Sequence, residues 1–263
     1  MRLPPPLPLL LMLLSLLTGW ALAQNPIEQM RDLLERGYYN SAARIVGPSL
    51  VESHPNDPEA FYLYSRSLYL TEEIGAAREA LDQAMLLAED EVDPDYLHLD
   101  GLLLAAEGDL RRAIEVLREA FGISGQYEHA MDWGRVAWQA YDLEEALEAY
   151  AAAAQTEEGM KNSWPHLNRG RLLTFLGRNE EAIDAYRRAI EVFEENDTGE
   201  ARPSPAYVEA YFRLGEIYEA MGEEQGSNRF LQLAIDHYRA ALTGDPNYAP
   251  AIEALDSLNR RLP

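Results

Sequence analysis

The side chains through which this chain could do chemistry are five histidines, a large excess of carboxylates and a set of arginines. His54, His98, His129, His166 and His237 are scattered. No two of them stand at the H-E-x-x-H spacing that sets a pair of imidazoles over a zinc ion on one helical face. There is no cysteine, which removes thiol nucleophiles, thiolate metal sites and disulfides and leaves the redox compartment open. A G-x-S-x-G elbow, a P-loop and a G-x-G-x-x-G turn are all missing. The densest carboxylate cluster is Asp90-Glu91 with Asp93, Asp95 and Asp100, near His98. It lacks the ligand order and turn glycine of an EF-hand and reads as an acidic loop between helices rather than a cation site. Asn196-Asp197-Thr198 is a glycosylation sequon that would matter only in a eukaryotic secretory pathway. These residues predict no enzyme, no metal and no cofactor; a hydrolase would need a constellation that no local pattern shows.

The charge balance narrows the partners. The 263 residues carry 22 basic and 45 acidic side chains, a net charge of −23. Lys161 is the single lysine, so arginine supplies nearly all the positive charge. Such a chain repels nucleic acid and anionic membrane surfaces and has no basic run to overcome that. Together with the richness in Ala, Leu and Pro, the shortage of lysine suggests a GC-rich bacterial host. The first segment reads as an export signal: Met1-Arg2, an apolar run from Leu9 to Leu17, then Ala21-Leu22-Ala23, with cleavage expected before Gln24. The stretch from Leu9 to Ala23 is shorter than the ~20 residues of a spanning helix. No cysteine follows it to carry a lipid. The expected destination is the periplasm or the medium, with no membrane insertion after cleavage.

The elements that position the arginines emerge from self-comparison. A small residue recurs at Ser65, Gly101, Gly134, Gly170 and Gly215, with Met30 in the equivalent place upstream. The intervals from Met30 onward are 35, 36, 33, 36 and 45. A second series runs through Ala42, Ala77, Ala113, Ala146, Ala182 and Ala234. A third follows at Ala84, Ala120, Ala153, Ala189 and Ala241, with Ser49 in the first unit. Each unit reads as two helices of about 14 residues, too short to be stable alone. Their axes must approach closely where they cross, and a larger side chain there would overpack by about 1–3 kcal/mol. Leu117, Tyr150, Tyr186 and Tyr238 fill the space between the small residues. Gly108, Gly177 and Gly222 mark turns that glycine can close in the left-handed conformation. Asp57-Pro58, Asp93-Pro94, Ser204-Pro205 and Asp245-Pro246-Asn247 mark the breaks between units.

This pattern resembles the tetratricopeptide repeat family, whose unit of about 34 residues carries W-x2-L-G-x2-Y…A-x3-F…P. The sixth unit matches best, with Tyr211, Leu214-Gly215, Tyr218, Ala234, Tyr238, Ala241-Leu242 and Pro246; the fifth offers Gly170, Gly177, Ala182, Tyr186 and Ala189-Ile190. The resemblance implies an all-α, right-handed superhelical solenoid of helix-turn-helix repeats. After a cleaved signal over 1–23, six repeats are expected at about 24–57, 58–93, 94–126, 127–162, 163–203 and 204–248, with a capping helix over 249–263. Two departures stand out. The sixth unit has about seven extra residues around Glu223 to Asn228, which would lengthen its helices or form a protruding loop. Glu194 to Ser204 is a polar linker. Trp133 lies on the packing stripe and is assigned to the core.

The resemblance also implies where a partner would sit. The concave side is lined by the first helix of each pair, and the groove-facing stripe is the residue after the small one with those four before and three after it. The central positions are then Arg31, Arg66, Leu102, Arg135, Arg171 and Glu216. Four before them lie Ile27, Tyr62, His98, Met131, Leu167 and Phe212, and three after lie Leu34, Tyr69, Ala105, Trp138, Thr174 and Glu219. On one reading this is an arginine ladder for carboxylates between aromatic anchors from Tyr62, Tyr69, Trp138, Phe175 and Phe212. Asn168 beside Arg171 is similar to the amide-plus-cation pairs with which some relatives hold a peptide C-terminus, although the usual lysines are missing here. On the other reading the arginines pair with glutamates on neighbouring helices and only solvate the surface. The function expected is that of an exported scaffold holding a protein or peptide segment from the cell envelope. Homo-oligomers are compatible with it. The alternative is an accessory subunit of a periplasmic solute-uptake system working with a solute-binding protein.

Overall fold

The computed structural model describes residues 25–89, 93–196 and 203–261. The expected signal segment, most of the sequon, and Asp90 and Glu91 of the acidic cluster lie outside the described residues. Every regular element among the described residues is helical. They divide into two compact units, with the division after Val116.

The first unit opens with α1 (Pro26–Glu35). Its return stretch begins as α2 (Tyr39–Ser41), widens into a π-helical turn (Ala42–Val46) and continues as α3 (Gly47–Ser53). A hairpin of α4 (Pro58–Leu70) and α5 (Ile74–Ala88) follows, and then α6 (Pro94–Glu107) and the start of α7 (Leu110–Ser124). The second unit holds the rest of α7, the hairpin α8 (Tyr127–Gln139) and α9 (Leu143–Ala153), and a short 3₁₀ turn (Gly159–Lys161). Then come the hairpin α10 (Trp164–Phe175) and α11 (Asn179–Asn196), the hairpin α12 (Pro205–Gln225) and α13 (Asn228–Gly244), and a last helix α14 (Ala249–Arg261).

At four helix starts the polar residue before a proline caps the helix. Asn25, Asp57, Asp93 and Ser204 accept hydrogen bonds from backbone N–H groups two or three residues on, at 2.8–3.2 Å. The turn inside each hairpin is one motif repeated six times. Gly37, Glu72, Gly108, Tyr141, Gly177 and Gly226 all take positive φ, between 59° and 91°. In each turn the next residue donates to a carbonyl five residues back: Tyr38 to Leu33, Glu73 to Leu68, Asp109 to Leu104, Asp142 to Ala137, Arg178 to Leu173 and Ser227 to Gly222. This is the Schellman closure. Gly108 and Gly177 act as the sequence predicts. Gly222 does not: it is buried inside α12, where a Cβ would lie 2.6 Å from Leu231, and the turn falls at Gly226. The extra residues of the sixth unit lengthen α12 to 21 and α13 to 17 residues instead of forming a loop.

Packing follows the small residues. A Cβ on Gly134, Gly170 or Gly215 would lie 2.7, 2.5 or 2.4 Å from the ring of Tyr150, Tyr186 or Tyr238 on the partner helix. Each tyrosine therefore lies flat against a backbone that only glycine leaves bare. Ser65 is fully buried and donates to the Ala77 carbonyl at 2.7 Å, so its hydroxyl is satisfied. All six alanines of the second series and all five of the third are fully buried. Ser49, expected to extend the third series, is exposed, and Leu50 takes its place in the core. The π-helical turn accounts for the slip. It holds one residue more than an α-turn, so the face reached seven residues after Ala42 in a regular helix is reached after eight. Pro48 gives a reason for the widening, since its ring would clash with the carbonyl four residues back in a regular helix. Gly47 completes the accommodation by letting the Tyr64 ring lie against it. Trp133 is buried as expected, with its indole N–H donating to Glu145 at 3.0 Å.

Candidate partner-binding groove

In the first unit, the stripe residues lie on α1, α4 and α6. Arg31 is exposed and donates to Glu28 on its own helix at 2.7 Å and to Glu59 on α4. Tyr62 is half-buried and stacks on Tyr96 of α6, with ring centroids 4.8 Å apart. Burial pushes the Tyr62 hydroxyl up to about 12 against the opposing pull of Arg66, which hydrogen-bonds to it. Arg66 is exposed on α4; Tyr69 and His98 are half-buried. Leu34 and Leu102 of the stripe are core residues, and Ile27 and Ala105 are half-buried.

In the second unit the stripe is more developed. Arg135 on α8 is exposed and pairs with Asp132 one turn earlier, at 2.9 Å. Arg171 on α10 is held by three groups: both carboxylate oxygens of Glu209 on α12, with one contact at 2.9 Å, the Asn168 side chain at 3.1 Å, and the face of Trp164 at 6.0 Å. Glu209 also accepts from Arg213 at 3.1 Å, and Arg213 donates onward to Glu216 at 2.8 Å. Thr174 donates to the Gly170 carbonyl at 2.9 Å and lies 3.1 Å from the Tyr186 hydroxyl. Trp138 is half-buried and Phe175 is 60% exposed. Phe212, expected to wall the groove, is instead core: it is 8% exposed and packs on Tyr238 and Tyr248 at centroid distances of 5.6 and 5.5 Å. Leu167 is fully buried.

An open hollow of about 340 Å³ on α8, α10, α11 and α12 is lined by Trp138, Arg171, Thr174, Phe175, Tyr186, Arg213, Glu216 and Ile217. It brings together five residues of the predicted stripe and walls, Trp138, Arg171, Thr174, Phe175 and Glu216. Three that it also needs, Tyr186, Arg213 and Ile217, were outside the predicted set. Arg213 carried a readable signal, standing four residues after Glu209 and three before Glu216 on one helix, where opposite charges meet. Tyr186 and Ile217 carried none, because filling a core and flooring a cavity need the same residue types. Among the described residues, no group of three or more carboxylate, histidine or cysteine side chains is arranged to hold a metal ion. No described helix is long and apolar enough to cross a membrane.

Residues 167–249 match the family model of the tetratricopeptide repeat. No curated protein matches the chain. Among solved structures, the chain is similar to YrrB, described as a TPR protein with an unusual peptide-binding site. Identity is 16% and the TM-score 0.55, over 79% of this chain and 96% of that one. It is also similar to pilF of Pseudomonas aeruginosa, at 16% identity and TM-score 0.61 over 88% and 96%. A chain of the APC/C hetero-tetramer Cut9-Hcn1 matches at 18% identity and TM-score 0.59, over 93% of this chain and 45% of that one. At these identities the likeness is one of fold. With the family model matched over 167–249 and the same helix-pair architecture found in the solved structures, the fold of the chain is that of the tetratricopeptide repeat.

Proposed function

We propose that the chain is a non-catalytic scaffold, exported to the bacterial cell envelope, which holds a segment of a partner protein in the groove formed by α8, α10 and α12. One observation carries the reading. A large aromatic side chain, Phe175, stands 60% exposed at the rim of a cavity that also holds Trp138. Exposed aromatic anchors beside a preformed hollow are what protein interfaces use to concentrate binding energy. Export rests on the composition of residues 1–23 and gives the partner its compartment. The net charge of −23 disfavours nucleic acid and anionic lipid as ligands.

The test is site-specific photo-crosslinking in envelope extract, with the reactive amino acid placed at Phe175 or, as a control, at Met160, which is exposed but does not line the cavity. A discrete adduct formed from position 175 and not from 160 is the expected outcome. Adducts from 160 alone would move the interface off this groove.

A further inference from the structure

The turns inside the hairpins close alike, and one of them closes at a cost. Tyr141, between α8 and α9, holds φ of 60°. This left-handed conformation crowds any Cβ, and four of the other five turns give it to glycine. The Tyr141 side chain is 76% exposed, and it meets no other ring and no hydrogen-bonding side chain among the described residues. Glu72 takes the same conformation, but it sets a carboxylate in water, where exposure costs nothing. Tyr141 joins backbone strain to a bare ring and gains no packing from either. Strain of this kind clusters where a residue serves something other than its own fold.

The ring is not alone on its edge. Phe175, 60% exposed, stands at the end of α10, so the two most exposed aromatic side chains among the described residues lie beside consecutive hairpin turns of the second unit. Arg178 ties those turns together, reaching Glu144 on α9 at 3.4 Å while it pairs with Glu181 at 2.7 Å. The charge of the edge is one-sided. Asp142, Glu144, Glu180 and Glu181 are exposed there, opposed by Arg178 and, from further off, by Arg169. Aromatic anchors ringed by carboxylates complement a surface in which an apolar notch is ringed by Lys or Arg. A second copy of the chain, with its net charge of −23, would meet this edge with like charge, and so would an anionic membrane.

We propose that the turn edge carrying Tyr141, Phe175 and the carboxylates around them docks a folded, basic protein, with the Tyr141 ring inserted in an apolar notch of that partner. The edge is a different surface from the groove. Neither Tyr141 nor any of the four carboxylates lines the hollow on α8, α10, α11 and α12, and the partner rests on turns instead of lying along helix faces. The proposal therefore stands whether or not the groove is also occupied.

The probe is a displayed library of one small folded domain with a randomised face, selected on the full chain. The selected domains are titrated against the chain, Tyr141→Gly and Phe175→Ala at low and high salt. Tyr141→Gly relieves the strained turn, so the variant keeps its fold, which a thermal melt verifies, and lost binding then reports the lost ring. The expected binders carry a face enriched in Lys and Arg. Tyr141→Gly should weaken them by about tenfold or more, the usual effect of losing an aromatic anchor, and high salt by about threefold or more. Binders weakened by Phe175→Ala and indifferent to Tyr141→Gly would overturn the edge and leave the groove as the binding face. Binders indifferent to both variants would overturn the edge as well. Binders that need Tyr141 but have neutral or acidic faces and no salt dependence would overturn the basic partner. A dimer in sedimentation, or flotation with phosphatidylcholine vesicles, that Tyr141→Gly abolishes would assign the edge to a second copy or to lipid and overturn the proposal.

Discussion

At the scale of single residues, the chain works by setting a bare backbone against a ring. Gly170 and Tyr186 are one such pair, with no room for even one carbon between them. Gly170→Ala is expected to destabilise the protein by about 1–3 kcal/mol, measured by urea unfolding. Combining it with Tyr186→Leu should recover part of that loss, because the smaller side chain yields the space; strictly additive losses in the double variant would mean that the two do not meet. A second residue couples stability to pH. Burial, followed by the charges of Arg188 and Arg169, brings the His166 imidazole from about 6.5 down to about 4. As pH falls, the unfolded chain takes up this proton first, so the stability is fully present above about 6.5 and is lost between about 6.5 and about 4. His166→Asn should flatten the pH dependence of unfolding in that window. His237 is lowered too, first by burial and then by Arg187, and the double variant should be flatter still.

At the scale of elements, the six hairpin turns share one closure, but two close on residues poorly suited to it. Tyr141 and Glu72 hold φ of 60° and 64° where the other four turns have glycine. A left-handed conformation costs a residue with a side chain about 1–2 kcal/mol. Tyr141 is 76% exposed and contributes little to packing. Tyr141→Gly is therefore expected to raise stability by up to about 1 kcal/mol, net of the entropy that glycine adds to the unfolded chain. An unchanged or lower melting temperature would show that the exposed ring makes contacts worth more than the strain. The π-helical turn and the lengthened α12–α13 hairpin show the same economy: an extra residue or an extra two turns is absorbed within helices, and the buried faces stay in register.

At the scale of the whole molecule, charge is the dominant feature. With 45 acidic and 22 basic side chains, self-repulsion works against the compact state. The ion pairs are mostly solvent-exposed and individually contribute about 0–1 kcal/mol. Moderate salt screens the long-range repulsion more than it weakens the close contacts. The melting temperature should rise between low and physiological ionic strength; a fall would mean that the ion pairs, Arg171–Glu209 foremost, outweigh the net charge. The last helix buries Ala251 and Leu258 and exposes Glu253, Asp256 and Asn259, with Ile252 beside them, as a solenoid end requires.

Much of this was legible in the sequence because close packing leaves a one-dimensional trace. Wherever two helices must cross tightly, only Gly, Ala or Ser fits, so the phase of the small residues determined the helix pairs and the fold class, and the family resemblance added the stripe on which Arg31, Tyr62 and Trp138 stand. The aspartate–proline breaks determined where helices begin, since capping is a local matter of one side chain and the next few N–H groups. Ser49 and Gly222 were misplaced because a π-helical turn and an extended hairpin change register without changing composition. What only the tertiary structure decided is how the arginines are used. Glu209 lies 38 residues beyond Arg171, and no spacing rule along a chain relates a cation on one helix to an anion on the next pair. Whether an arginine is free for a ligand or bound to its own protein is settled by which helices pack together, and the same packing leaves Phe175 exposed and buries Phe212.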